Sequence, residues 1–287
     1  MRELTDRACL ITGAAGGIGR ATALAATRAG ARLVLTDVAA AGLAETVTTV
    51  TDAGGDVLDA RVLDVADHEA VTAWAGEIHA EHGRMDVVMN IAGIATWGTV
   101  ENLEHRHWRS MIEVNLMGPI HVIESFVPPM VRDGRGGHLV NVSSAAGLLA
   151  LPWHAAYSGA KFGLRGVSEV LRFDLERHHI GVSLVVPGAV RTPLVQSVQI
   201  VGVDRDDPRM RRLTTLFEGH AVSPERVADR IIAAIRHNRY LVHTSADIRF
   251  AYWLTRKFAL PYELAMRVAN RQFDRMLPPV PDRTRLG

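Results

Sequence analysis

The chain has 287 residues, 48% hydrophobic and 22% charged, with a formal net charge of +1. That length admits one large domain or two small ones around a sizeable core, and the near-neutral charge excludes the strong positive field of a nucleic-acid binder. A single cysteine, Cys9, excludes an internal disulfide and suits a reducing compartment.

In chain order, short apolar runs alternate with helix-patterned segments. Residues 7–12 read as a strand, 18–29 as a helix ended by Gly30, 32–37 as a strand and 40–53 as a helix. A strand at 57–63 precedes a helix at 67–82, with Gly83 as its stop, and a strand at 86–90. A long helical stretch spans 103–131, perturbed at Pro119. Then come a strand at 138–143, a helix at 155–178, a strand at 182–187, a helix at 224–237 and a short strand at 240–243. The strands are β-branched and nearly continuously apolar, as in sheets buried on both faces. Seven of them between helices predict an α/β chain, a three-layer doubly wound Rossmann fold with a seven-stranded parallel sheet over residues 1–245. The charged segment 194–222 is too long for an ordinary connection and reads as a lid over the substrate. Residues 246–287 read as a C-terminal helical extension.

The turn between the first strand and the first helix is Thr12-Gly13-Ala14-Ala15-Gly16-Gly17-Ile18-Gly19. Gly13 permits a tight turn, Gly16 or Gly17 lets the backbone approach a pyrophosphate, and Gly19 allows close helix–sheet packing. Asp37 ends the second strand 18 residues after Gly19, where a carboxylate accepts hydrogen bonds from the adenosine ribose and repels a 2′-phosphate. Val38 follows it and Gly16 holds the other usual basic position, so NAD is expected as the cofactor rather than NADP. Asp64 and Val65 end the third strand, with Asp64 placed to meet the adenine amino group. Asn90-Ile91-Ala92-Gly93 ends the fourth at the same edge; for Asn90, a structural role and a cofactor contact stand as equals.

Tyr157 and Lys161 are four residues apart early in a predicted helix, one turn apart on one face. A phenol with a pKa of about 10 is a poor base near neutrality; an adjacent ammonium, with the positive ring of an oxidised nicotinamide, would lower it. Only Lys161 and Lys257 among 32 basic residues are lysines, and Tyr157 is one of four tyrosines. A compact ammonium that reaches beneath a phenol is something a forked guanidinium cannot copy. Ser144 lies 13 residues before Tyr157, where a hydroxyl can hold a substrate oxygen, with Ser143 as its rival. Asn115, polar on an apolar helical face, is either a satisfied buried amide or the centre of a kink that relays protons to Lys161.

Together these residues resemble the short-chain dehydrogenase/reductase family in its single-domain form, over roughly residues 5–245 and in the family's order. The resemblance implies that Tyr157 is the general acid/base, Ser144 the binder of the substrate oxygen, Lys161 the holder of the nicotinamide ribose, and Asn115 a support of the relay. It also implies that the turn Pro187-Gly188-Ala189-Val190-Arg191-Thr192 grips the nicotinamide through the Val190 backbone and Thr192. The family usually has two adjacent asparagines where this chain has Asn90-Ile91, so only Asn90 carries over. A Tyr–Lys spacing of four argues against the enoyl-reductase branch. Family members are commonly homotetramers or homodimers built through the two long helices.

The expected substrate cavity is walled by Trp97, Ala146, Leu149, Trp153, His154, Ala189 and Leu194, mostly apolar and without an arginine clamp. A hydrophobic secondary alcohol or ketone is therefore expected, and no metal; a catalytically inactive NAD-binding sensor on the same fold is the alternative. Residues 249–287 carry eight arginines or lysines and three acids beside several aromatics. Such a helix suits an anionic membrane surface or packing on the pocket or a neighbouring subunit, and packing is the favoured reading. The charged start Met1-Arg2-Glu3-Leu4-Thr5-Asp6 has no leader-like apolar stretch, and the cytoplasm is the expected location.

Overall fold

A computed structural model describes residues 3–192, 198–203, 219 and 221–274. Its strands are β1 (Ala8–Thr12), β2 (Arg32–Asp37), β3 (Asp56–Val62), β4 (Val87–Asn90), β5 (Thr96–Trp97), β6 (Gly137–Val142), β7 (Ile180–Val186), β8 (Gln199–Ile200) and β9 (Leu241–His243). The helices are α1 (Gly17–Arg28), α2 (Ala40–Asp52), α3 (His68–His82), α4 (His105–Ile112), α5 (Gly118–Asp133), α6 (Ala155–Asp174), α7 (Pro224–His237), α8 (Ala246–Lys257) and α9 (Ala259–Asp274). Seven strands form one sheet in the order β3-β2-β1-β4-β6-β7-β9, and every pairing in it is parallel.

The alternation of side chains across each strand builds a core on both faces. In β1, Cys9 and Ile11 face one way and join Ala23, Ala26, Val227, Ile231 and Ile235 of α1 and α7. Leu10 faces the other way, with Trp74, Ile78, Phe126 and Met130 of α3 and α5. Helices on both sides of a parallel sheet make the three-layer Rossmann arrangement. The strand order reverses between β1 and β4, so the crevice for a ligand opens at the carboxyl ends of those strands.

Three local expectations are corrected. The stretch 103–131 is two helices joined by a π-helical turn over Glu113–Met117, and the break lies at Asn115 rather than at Pro119. Pro119 sits in the first turn of α5, where its missing N–H costs nothing. The helix expected to reach residue 178 ends at Asp174 and is followed by a 3-10 turn, Glu176–His178, stopped by His179 at φ 55°. The pair β5–β8 was not anticipated: two residues on each strand are too few for periodicity to mark. Among the described residues, no helix is long and apolar enough to cross a membrane.

Candidate active site

β1 ends in the glycine turn. Gly13 has φ 70°, and a Cβ there would stand 2.8 Å from the backbone of Ala92. A Cβ on Gly19 would stand 1.8 Å from the Gly13 carbonyl oxygen, so the turn closes only on glycine. Gly16 is extended and precedes α1, whose free N–H groups and positive dipole end face the groove. Side chains hold the loop from beneath. The Thr12 hydroxyl accepts from the amides of Ile91 (3.0 Å) and Ala92 (3.1 Å), tying the ends of β1 and β4. Asp37 accepts from the amides of Ala15 and Ala39, both at 2.9 Å, and so places its carboxylate at the groove wall. The Asp64 carboxylate accepts from Ala66 N at 2.9 Å.

A groove of about 460 Å3 runs along this edge, lined by Gly13, Gly16, Gly17, Ile18, Gly19, Asp37, Asp64, Val65, Ala92, Gly93 and Thr192, among others. Its shape and chemistry fit a dinucleotide: a glycine cradle that side chains would fill, a helix N-terminus for phosphate, and a carboxylate for a ribose. Arg20 was missed by sequence reasoning. Its guanidinium donates to the carbonyls of Ala15 (2.7 Å) and Gly42 (3.1 Å), to Thr46 (2.9 Å) and to Glu45 (2.8 Å), bracing the glycine turn on α2. Nothing in its spacing marked it, because those partners converge only in the fold.

Asn90 is not at the groove. It is 2% exposed, and its amide donates to Asn141 Oδ1 at 2.9 Å; Asn141 in turn donates to Ser168 at 2.9 Å. Of the two roles left open for Asn90, these bonds supply the structural one, tying the end of β4 to β6 and α6.

A second cavity of about 440 Å3 adjoins the first and shares Ile18, Ile91, Gly93 and Thr192 with it. Ser144, Tyr157 and Lys161 meet at its wall, with Asn115, Pro187, Gly188, Ala189 and Val190. Ser144 follows β6 and caps a 3-10 turn, its Oγ accepting from Ala146 N at 3.1 Å. The next amide, Ala145 N, donates to the Pro187 carbonyl at 2.7 Å, which ties Ser144 to the end of β7. Ser143, which also borders the cavity, has its hydroxyl committed to the Lys161 carbonyl, to which it donates at 3.0 Å. Of the two serines, Ser144 is the one whose hydroxyl acts on the Tyr157 phenol, favouring its ionised form.

Lys161 is 4% exposed; its Nζ donates to the Val142 carbonyl at 3.0 Å and lies 5.9 Å from the Tyr157 ring centroid. Burial pulls its pKa down from 10.5 to about 8. Burial likewise raises the Tyr157 phenol, with the Ser144 hydrogen bond opposing it. In the chain alone burial is the larger influence on the phenol; the expected lowering also calls on the positive ring of an oxidised nicotinamide.

Asn115, fully buried in the π turn, donates to the Ile94 carbonyl (3.0 Å) and accepts from Ile94 N (3.1 Å). It is a satisfied amide that pins the loop after β4, and it flanks Gly93 together with Lys161: a Cβ on Gly93 would meet Asn115 Oδ1 at 2.8 Å and Lys161 Nζ at 3.4 Å. Val190 bridges Val222, but the bridging bonds use Ala189 O and Arg191 N, so the N–H and C=O of Val190 take no part in it. Arg191 donates to Ala221 O at 2.7 Å and is not among the described residues lining either cavity.

The walls are Ala95, Trp97, Ala146, Leu151, Val198 and Ile248, with His154 and Asp247. His154 is 8% exposed, lies against Trp97 with the ring centroids 4.4 Å apart and the planes tilted by 35°, and bonds the Pro152 carbonyl through Nδ1 at 2.6 Å. Burial lowers its pKa to about 4, so it is neutral near neutrality. Leu149 is instead packed under α8. Trp153, at φ 64°, is 7% exposed and is not among the described lining residues. Leu194 and most of the expected 194–222 lid lie outside the described residues.

A glycine-cradled groove opening onto a buried tyrosine and lysine defines an oxidoreductase that works with a nicotinamide dinucleotide. The chain belongs to the short chain dehydrogenase family, whose pattern matches residues 7–200. It is 33% identical over 277 residues to SadH of Mycobacterium tuberculosis, a putative oxidoreductase, covering 95% of this chain and 98% of that one. It is also 33% identical over 255 residues to EphD of the same organism, a probable oxidoreductase; there the match spans 88% of this chain but only 43% of the relative's length. Among solved structures, a short-chain dehydrogenase/reductase from Burkholderia phymatum in complex with NAD is 29% identical with a TM-score of 0.81, covering 92% of this chain and 97% of that one. A metagenomic short-chain oxidoreductase in complex with NADP is 30% identical with a TM-score of 0.67, covering 84% and 96%.

Proposed function

We propose that this chain moves a hydride between NAD(H) and a hydrophobic secondary alcohol or ketone, with Tyr157 as the general acid/base. The observation that carries the proposal is the placing of Ser144, Tyr157 and Lys161 together on the wall of an apolar cavity adjoining the glycine groove. When bound, the nicotinamide supplies the hydride acceptor or donor and, oxidised, a positive charge. Ser144 holds the substrate oxygen, and the Tyr157 oxygen takes its proton or returns it. Lys161 keeps an ammonium beneath the phenol and offers it to the nicotinamide ribose, while Asn115 and Gly93 fix its surroundings. Pro187, Gly188, Val190 and Thr192 would border the nicotinamide.

NAD rather than NADP is favoured by Asp37, by the exposed apolar Val38 beside it, and by the engagement of Arg20 with Glu45 and two carbonyls. The walls favour an apolar substrate, because no arginine is among the described residues that line the cavity. Phe162, Val170 and Phe173, exposed on α6, support a homodimer or homotetramer, which sedimentation equilibrium reads directly. The single buried Cys9 is consistent with the cytoplasm.

The test is Tyr157→Phe, assayed against a panel of secondary alcohols with NAD and with NADP. Turnover should fall by about two to four orders of magnitude while NADH binding persists, and the parent should prefer NAD. Unchanged turnover in the variant would refute the assignment.

A further inference from the structure

Helices α8 and α9 each pack one face on the body of the fold, and α8 also borders the cavity. Ile248, Ala251, Tyr252 and Tyr262 pack on Leu148, Leu149, Leu184 and Val186, and Tyr262 Oη accepts from Ala150 N at 2.8 Å. The outward face is apolar as well. Phe250, Trp253 and Phe258 form a continuous ring contact, with centroids 5.8 and 5.6 Å apart, and they are 62%, 49% and 47% exposed. On α9, Leu260, Leu264 and Val268 follow at i, i+4 and i+8, exposed by 77%, 64% and 48%. Scattered exposed apolar residues are normal, but five on two consecutive helices, with Phe258 at their junction, mark a docking surface.

Charge decides what docks. Arg249, Arg256, Lys257, Arg267 and Arg271 are exposed on the same helices. Glu263, the one acid between residues 249 and 272, is already paired with Arg267. Helical spacing sets Arg267 and Arg271 beside the Leu260–Leu264–Val268 stripe. A second copy docking through this face would bring cations against cations. Aromatic rings and leucines rimmed by cations match an anionic lipid interface, where the rings sit at headgroup depth and the cations meet phosphates.

We propose that the outward face of α8 and α9 docks this enzyme onto anionic lipid bilayers. Asp247 and Ile248 of α8 line the cavity, so the docked surface lies about one helix diameter, roughly 10 Å, from it. The inference stands whatever the cavity binds.

The experiment co-sediments the full chain with vesicles of phosphatidylcholine alone and of phosphatidylcholine mixed with phosphatidylglycerol. Binding to the anionic vesicles should be at least about tenfold tighter and should weaken with salt, since each cation at such a surface multiplies affinity by about fivefold. Phe250→Ser/Trp253→Ser, and independently Leu260→Ser/Leu264→Ser, should each lose about tenfold or more of vesicle binding while NADH affinity is kept. No binding, equal binding to both vesicles, or undiminished binding by both variants overturns the proposal. A fall in sedimentation-equilibrium mass in the variants overturns it in favour of a second copy. Vesicle binding gained only when the chain is ended at Asp274 overturns it in favour of residues 275–287 as the natural cover.

Discussion

Lys161 is the costliest side chain in the cavity. An ammonium buried to 4% exposure, with its pKa pulled from 10.5 to about 8, is charged at a loss of about 3 kcal/mol, only partly offset by its bond to Val142 O. Lys161→Met should therefore stabilise the chain by roughly 2 kcal/mol near pH 7 while abolishing turnover, measured by urea unfolding and by NADH formation. The sign follows from linkage. Between pH 8 and 10.5 the unfolded chain holds a proton on this lysine that the folded chain has lost, so parent stability rises through that window and the gain from methionine shrinks. An equal gain at pH 7 and pH 10.5 would contradict it. The lysine was legible in the sequence because the chain so rarely uses one, and Tyr157 because tyrosine is scarce. The choice between Ser143 and Ser144 was not legible from the residues alone, since adjacent hydroxyls after a strand read alike and only the fold shows that the Ser143 hydroxyl is already committed to a carbonyl. Asn90 stayed open for a related reason: an asparagine at a strand end reads the same whether it faces a ligand or another buried amide.

The binding elements work as braced turns. Gly19→Ala would press a methyl group into the Gly13 carbonyl at 1.8 Å, a contact that helix-forming propensity cannot repay. NADH affinity, followed by fluorescence titration, should fall by about tenfold or more, and stability by about 1–3 kcal/mol; near-parent affinity would show that the turn tolerates a side chain. Strand and helix order was readable because a parallel sheet buried on both faces leaves uninterrupted β-branched runs, as at Leu33–Val34–Leu35 of β2. The π turn at Glu113–Met117 was not. Its cause is a tertiary contact, Asn115 clasping both backbone groups of Ile94, whereas the visible breaker, Pro119, sits harmlessly in the first turn of α5. The second face of α8 and α9 was likewise illegible: spacing places residues around a helix, but only packing shows which side is already taken.

At the scale of the whole molecule, acid should weaken the fold through two buried imidazoles. His138, bonded to Ser183 at 2.8 Å, and His154 both have pKa values lowered by burial to about 4. Below pH 6.5 the unfolded chain takes up protons that the folded chain refuses until about pH 4, so stability falls as pH drops through that interval. Each histidine accounts for about 3 kcal/mol at its lower end. Urea midpoints at pH 7 and pH 4.5 should differ less in His138→Asn than in the parent; the same difference in both would remove His138 as a cause.

The groove and the cavity share Ile18, Ile91, Gly93 and Thr192 along their common border. Whatever fills the groove therefore becomes flooring for its neighbour, and an alcohol arriving alone meets a room with one side missing. Turnover should follow a compulsory queue, dinucleotide first in and last out. Product-inhibition patterns read that directly: NADH should compete with NAD, while the ketone should raise the intercept against NAD as well as the slope.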